Sequence, residues 1–196
     1  MAKAMITSES MAAAAAALGC EVAAIQAVCD VEAPGGGFDV HGLPCVLYEG
    51  HKFSAATEGV YDKDYPSLSY PKWTRAWYAT GPTPDDRNAG EHKRLAQACL
   101  LNRGAALGAT SWGKFQILGA NYAACGFNSL QEFINAMYQG EPQHLDAFVN
   151  FILHEKLDEH LKCLRWQSFA EAYNGPSYAV NRYDTKLADA YRKAAA

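Results

Sequence analysis

The chain has 196 residues, of which 49% are apolar and 19% charged, and a formal net charge of −4. That is ample for a sizeable core and has the balance of a soluble globular chain. The acidic excess argues against nucleic acid as a partner and against strong attraction to an anionic membrane or wall polymer, and no apolar run is long enough to span a bilayer.

The amino-terminal run Met11 to Leu18 is dominated by alanine. Ala17-Leu18-Gly19-Cys20 has the outline of a lipoprotein cleavage box, but Glu9 beside the single Lys3 makes a poor signal n-region. Alanine favours helix, so residues 8–18 are predicted as a helix capped by Ser8 or Ser10 and closed by Gly19 at C′. A second helix is predicted over 21–32, with Val22, Ile25, Val28 and Cys29 on one face. Glu32 extends that face by i+3 and i+4, so its carboxyl is expected at the edge of a core. It also lies in the last turn, where the helix dipole disfavours negative charge. Desolvation and dipole both raise its pKa, as a general acid near neutral pH requires. The competing reading is a solvated glutamate at a helix end.

Pro34 to Gly37 reads as loop, and a small hairpin is expected across 38–49, with Val46 to Glu49 as a short strand. Leu47 and Glu49 share one face of it. This strand delivers a second carboxylate, Glu49, seventeen positions after Glu32. Two acids at a helix-to-hairpin junction suit glycosidic cleavage: the leaving oxygen needs a proton and the developing cation a negative partner. His51 to Ala56 is expected to form a helical turn. Residues 59–86 are a long irregular segment with Tyr61, Tyr65, Tyr70, Trp73, Trp77 and Tyr78 among its prolines. Loops of this length are usually functional, and flat rings suit stacking on sugars; the alternative is that they pin the loop to the core.

Helix resumes from Asn88 to about 107, with Leu95, Ala98, Cys99, Asn102, Ala105 and Ala106 as its stripe. Gly108-Ala109-Thr110 ends it. Ser111 then precedes W-G-K-F-Q-I-L-G-A-N-Y, predicted as a short helix closed near Gly119. Further helices are expected at about 129–139, 142–156, 158–163, 166–172 and 181–193, with a break at Asn174-Gly175-Pro176. The chain is thus α+β and mainly α, with one small β element early on. The six cysteines show no zinc spacing and are expected as reduced thiols; the scattered histidines form no metal pattern.

Three short signals stand in fixed order: V-E-A at 31–33, S-W-G-K-F-Q-I at 111–117 and A-Y-N-G-P at 172–176. On a mainly helical chain they resemble the lysozyme-like superfamily of goose-type lysozymes and lytic transglycosylases. The fuller set V-E-x-x-G-x-G-F, L-x-E-x-H, Tyr-Asp…Tyr-Pro at 61–66, S-W-G-K-F-Q-I, A-Y-N-G-P and N-x-Y-D is similar to the N-acetylmuramidase domain of phage endolysins. The resemblance implies a lysozyme-like fold with a small β hairpin. It implies one catalytic domain over 1–196, with a helical lobe and a β/loop lobe at about 34–86.

The resemblance also implies the chemistry: hydrolysis of the β-1,4 bond between N-acetylmuramic acid and N-acetylglucosamine in peptidoglycan. Glu32 takes the position of the family's catalytic glutamate, and Glu49 and His51 those of its L-F-E-x-H motif. Ser111, Gln116, Tyr173 and Asn174 take positions lining the sugar cleft. No metal or cofactor is implied. Peptidoglycan glycan strands are the implied partner and the chain is expected to act as a monomer, made in a host cytoplasm and acting in the periplasm. Ala33 stands where the family usually has serine, and Gly50 where a basic residue is common. Each candidate has a plain structural reading beside it. Gln116 would be a buried amide holding its turn, Tyr173 a core ring, Asn174 a helix cap, and Glu49 a partner for His51 or an arginine. The rival functions are a lytic transglycosylase giving 1,6-anhydro ends and an inactive glycan-binding protein.

Overall fold

The structure is a computed structural model that describes residues 3–32, 35–175 and 178–196. Ala33, Pro34 of the predicted loop and Pro176 of the A-Y-N-G-P motif lie outside the described residues. In chain order the elements are α1 (Ser8–Leu18), α2 (Val22–Glu32), β1 (Val46–Tyr48), α3 (Gly50–Ala56), α4 (Pro84–Gly108), β2 (Thr110–Trp112) and β3 (Ile117–Leu118). A 3-10 turn at Gly119–Asn121 follows, then α5 (Leu130–Met137), α6 (Glu141–His154), α7 (Asp158–Lys162), α8 (Trp166–Asn174) and α9 (Tyr183–Ala194). The class is α+β and mainly α, as the sequence implied.

Helix α1 is capped by Thr7, not by Ser8 or Ser10. Ser10 sits three residues on and completes a capping box: its N–H donates to Thr7 Oγ1 at 3.2 Å, and the Thr7 N–H donates to Ser10 Oγ at 2.9 Å. Gly19 ends the helix at φ 64°, and the Cys20 N–H returns to the Ala15 carbonyl at 3.1 Å. This turn sets α2 off at 110° to α1. No single described helix is long and apolar enough to cross a membrane. In α1, Met11, Ala14, Ala15 and Leu18 are buried; in α2, Ala24, Ile25, Ala27, Val28 and Cys29 are. Val22, expected on the inner face, is 44% exposed instead.

The β element differs from expectation. The 38–49 hairpin is reduced to one bridge, Phe38 to Pro44. The partner of β1 is β2, antiparallel, pairing Val46 with Trp112, Leu47 with Ser111 and Tyr48 with Thr110. Strand β3 pairs with β2 to complete a three-stranded sheet in the order β1-β2-β3. The S-W-G-K-F-Q-I stretch, predicted as a short helix, is therefore a tight hairpin. Its turn needs left-handed backbone at Gly113 (φ 68°) and Gln116 (φ 48°), which a helix cannot accommodate. The apolar Trp112, Phe115 and Ile117 still go inward.

Helix α4 begins at Pro84, four residues earlier than expected, because Thr83 and Asp86 form a second capping box with Pro84 at the first turn. It breaks at Asn102 (φ −154°, ψ 100°). Asn102 faces solvent instead of joining the stripe, and its Oδ1 accepts from the Ala105 N–H at 3.0 Å, capping the last turns. The core is filled by Trp112, Tyr48, Phe53, Phe115, Phe133, Phe148 and Phe169 with the aliphatic residues around them. All six cysteines are free thiols.

The start of the 3-10 turn packs tightly enough to be tested. A Cβ on Gly119 would lie 2.2 Å from the Leu107 carbonyl oxygen and 3.2 Å from Trp112 Nε1. Gly119→Ala is expected to destabilise the chain by about 1–3 kcal/mol, measured by urea denaturation; an unchanged midpoint would contradict this packing.

Candidate active site

Glu32 is the last residue of α2, one turn beyond buried Val28 and Cys29. Burial raises its pKa from 4.5 to about 7. Two weaker effects oppose it: a hydrogen bond from Asn174 and the charge of Lys186. Asn174 closes α8, and its Nδ2 donates to Glu32 Oε1 at 2.8 Å. Asn174 Oδ1 is buried without a partner among the described residues. The preceding Tyr173 donates its hydroxyl to the Phe115 carbonyl at 2.7 Å and stacks on Phe169 with ring centroids 5.3 Å apart. The dipeptide thus divides its work: Tyr173 ties the end of α8 to the β2–β3 turn, and Asn174 holds the acid.

Glu49 is the residue between β1 and α3. Its carbonyl accepts from the Lys52 and Phe53 N–H groups, starting α3, and its N–H donates to the Ala109 carbonyl at 3.0 Å. The side chain is left free of capping duty. Ser111, buried in β2, donates its hydroxyl to Glu49 Oε1 at 3.2 Å. His51 Nε2 lies 3.6 Å from Glu49 Oε2. Burial raises the Glu49 pKa; the Ser111 bond and the Lys52 charge oppose it. Burial also lowers the pKa of His51, which keeps that imidazole neutral near pH 7. His51 therefore stands as a structural neighbour rather than a cation paired with Glu49.

Gln116 sits in the left-handed region and turns its amide back on its own hairpin. Its Nε2 donates to the Gly113 carbonyl at 2.8 Å and to the Cys45 carbonyl at 3.4 Å. That geometry is the turn-holding role, and it brings Gln116 to neither carboxylate. Ser111 reaches Glu49, and Asn174 reaches Glu32. Both carboxylates are thereby tied to one β hairpin, Glu49 directly and Glu32 through the Tyr173-Asn174 pair.

The aromatic segment has two kinds of ring. Tyr61, stacked on Phe53 with centroids 5.6 Å apart, and buried Tyr70 pin it to the body. Trp73 and Trp77 are 56% and 43% exposed. Tyr70 explains the glycine at position 50. A Cβ there would meet Tyr70 Cε1 at 2.4 Å and the Leu68 carbonyl oxygen at 2.6 Å, so a basic side chain has no room. Tyr70 packs against this backbone and stacks near His51, with ring centroids 6.5 Å apart. At the tip of the segment Arg75 lies over Trp73 at 5.7 Å, and its Nη2 donates to Asn181 Oδ1 at 3.1 Å. The segment thus bridges from the Glu49 side to Asn181, just before α9, whose first residue Tyr183 feels the charge of Glu32.

Sequence reasoning named Tyr70 only as one of several rings that either stack on sugar or pin the loop, and did not single out Arg75, Asn181 or Lys186 as neighbours of the site, nor Glu91 and Arg94 of α4. The last two carry a readable signal: charged residues three apart, on the side of α4 that also carries Asn88 and Leu95. Chemically, the site offers a carboxyl that stays protonated to about pH 7 and a second carboxylate steadied by a hydroxyl.

A model of the family described as Muramidase, N-acetylmuramidase, matches residues 21–195 of the chain. Among solved structures, the crystal structure of a Burkholderia AP3 phage endolysin is similar at a TM-score of 0.83 and 37% sequence identity, over 97% of this chain and 72% of that one. No curated protein matches the chain.

The raised pKa of Glu32 has a consequence for stability. The folded chain binds a proton there that the unfolded chain releases between pH 4.5 and about 7. The contribution is complete below pH 4.5 and is lost as pH rises through the folded value near 7. Glu32→Gln, neutral throughout, is expected to gain stability over wild type at pH 8 relative to pH 4, on the order of 3 kcal/mol. Parallel denaturation curves for the two proteins across this range would contradict the buried carboxyl.

Proposed function

The chain belongs to the N-acetylmuramidase family of peptidoglycan glycoside hydrolases, and on that premise we propose Glu32 as its general acid and Glu49 as its second carboxylate. The observation that carries this reading is the Glu32 carboxyl, raised by burial to about 7 and held by Asn174 at 2.8 Å. In the reaction Glu32 protonates the glycosidic oxygen after N-acetylmuramic acid, so that N-acetylglucosamine leaves as a neutral alcohol. Positive charge then develops on the muramic acid ring. Glu49 stabilises it or holds the attacking water, while Ser111 fixes the direction of that carboxylate. Asn174 keeps one oxygen of Glu32 occupied and leaves the other for the substrate. Its bond also favours the anion that proton transfer leaves behind.

The exposed rings of Trp73 and Trp77 suit sugar stacking, and Tyr173 and Gln116 act by bracing the β2–β3 turn. The chain acts as one catalytic unit on the cell wall. By its similarity to a phage endolysin, its role is host lysis, with synthesis in the host cytoplasm and passage through a holin to the wall.

The function is tested on purified peptidoglycan. Glu32→Gln is expected to lose about 10²–10⁴-fold in kcat with its secondary structure retained. The wild-type products are expected to carry reducing N-acetylmuramic ends by mass spectrometry. Full activity in the variant would remove Glu32 from the chemistry, and 1,6-anhydro ends would replace hydrolysis with transglycosylation.

A further inference from the structure

We propose that Glu91 and Arg94 of α4 are positioning residues that hold Glu49 and the root of the aromatic segment in working geometry. This rests on Glu49 being the second carboxylate. The side of β1 not paired with β2 is hydrogen-bonded by helix side chains. Asn88 Oδ1 accepts from the Val46 N–H at 2.9 Å, and Glu91 Oε2 accepts from the Tyr48 N–H at 3.2 Å. Residues three apart on a helix thus meet alternate N–H groups of a strand, giving an edge strand partners it would otherwise lack.

At Tyr48 the hold is double. Arg94 Nη1 donates to the Tyr48 carbonyl at 3.2 Å and to Glu91 Oε2 at 2.8 Å, and the guanidinium lies 5.1 Å from the Tyr48 ring centroid. The pair therefore grips the N–H and the C=O of the residue just before Glu49.

The same pair reaches the aromatic segment twice. Glu91 Oε1 accepts from the Ala79 N–H at 2.6 Å, and Arg94 Nη2 donates to the Ser67 carbonyl at 3.1 Å. Ser67 and Ala79 bracket Tyr70, Trp73 and Tyr78. Glu91 is 3% exposed, so its charge is out of water and held by these partners. A buried ion pair is a poor device for stability alone, since an apolar pair of similar size often does as well. Here every bond beyond the pair itself goes to backbone that carries the site. The β2 side holds Glu49 independently, through the Ala109 carbonyl and the Ser111 hydroxyl. Loosening α4's grip is therefore expected to leave the chain folded and the carboxylate misplaced.

Glu91→Gln turns an acceptor into a group with an N–H facing other N–H groups; Arg94→Lys keeps the charge and loses the fork. Each is made in the full chain, in wild-type and Glu49→Gln backgrounds, with kcat, KM and Tm measured on purified peptidoglycan. In the wild-type background kcat is expected to fall by about 10- to 100-fold with secondary structure retained. In the Glu49→Gln background the same changes are expected to cost no more than about twofold in kcat, because the carboxylate they position is already gone, while the loosened root of the aromatic segment raises KM in both backgrounds. The proposal is overturned if both variants keep kcat within about twofold of wild type, or if kcat falls equally in both backgrounds. Failure of both variants to fold would also overturn it, making the pair a fold element. Wild-type kcat in Glu49→Gln alone would refute the role of Glu49 and leave the pair nothing to position.

Discussion

The carboxyl of Glu32 is partly withdrawn from water where α2 ends, and much of the architecture around it serves that placement. Helix α2 is buried along Ala24, Ile25, Val28 and Cys29, which fixes the height of its last residue. Helix α9 packs along α2 and brings Lys186 close enough for its charge to be felt. Helix α8 ends at the acid and supplies Asn174. Burial alone would make Glu32 a weaker acid still. The amide and the lysine pull its pKa back to about 7, near the range where a proton donor is both loaded and able to give up its proton.

The second organising piece is the β2–β3 hairpin. It meets β1 through backbone pairing, Glu49 through Ser111, and the end of α8 through Tyr173. Gly113 and Gln116 take left-handed backbone in its turn, and the Gln116 amide braces it from within. The two acids share one short support that lies more than sixty positions further along the chain, so a shift in this turn reaches both. The aromatic segment adds a bridge above it, from the Glu91 and Arg94 anchors to Asn181.

Much of this was legible in the sequence, for identifiable reasons. The helices α1 and α2, Gly19 at the end of α1 and the edge position of Glu32 follow from alanine content and from a 3.6-residue period. Periodicity failed at 111–119, where Trp112 and Phe115 stand three apart as on a helix while Ile117, two further on, does not fit that face. The pairing of β2 with β3 and the left-handed backbone at Gly113 and Gln116 reveal a hairpin. The break at Asn102 was hidden because asparagine reads as a polar gap in a stripe. Long-range pairing was not readable from local pattern. Neither the partnership of β1 with residues 110–112 nor the grip of α4 on Tyr48 leaves a mark within any short window. For Gln116, Tyr173 and Asn174 the motif pointed to the site, but geometry divides their roles between bracing the turn and holding the acid.

The most direct measurement is a 13C NMR titration of the Glu32 carboxyl in the folded wild-type chain. A midpoint near pH 7 is the result this account predicts. A midpoint at the ordinary glutamate value of 4.5 would mean the carboxyl is solvated, and would contradict its proposed role as the proton donor.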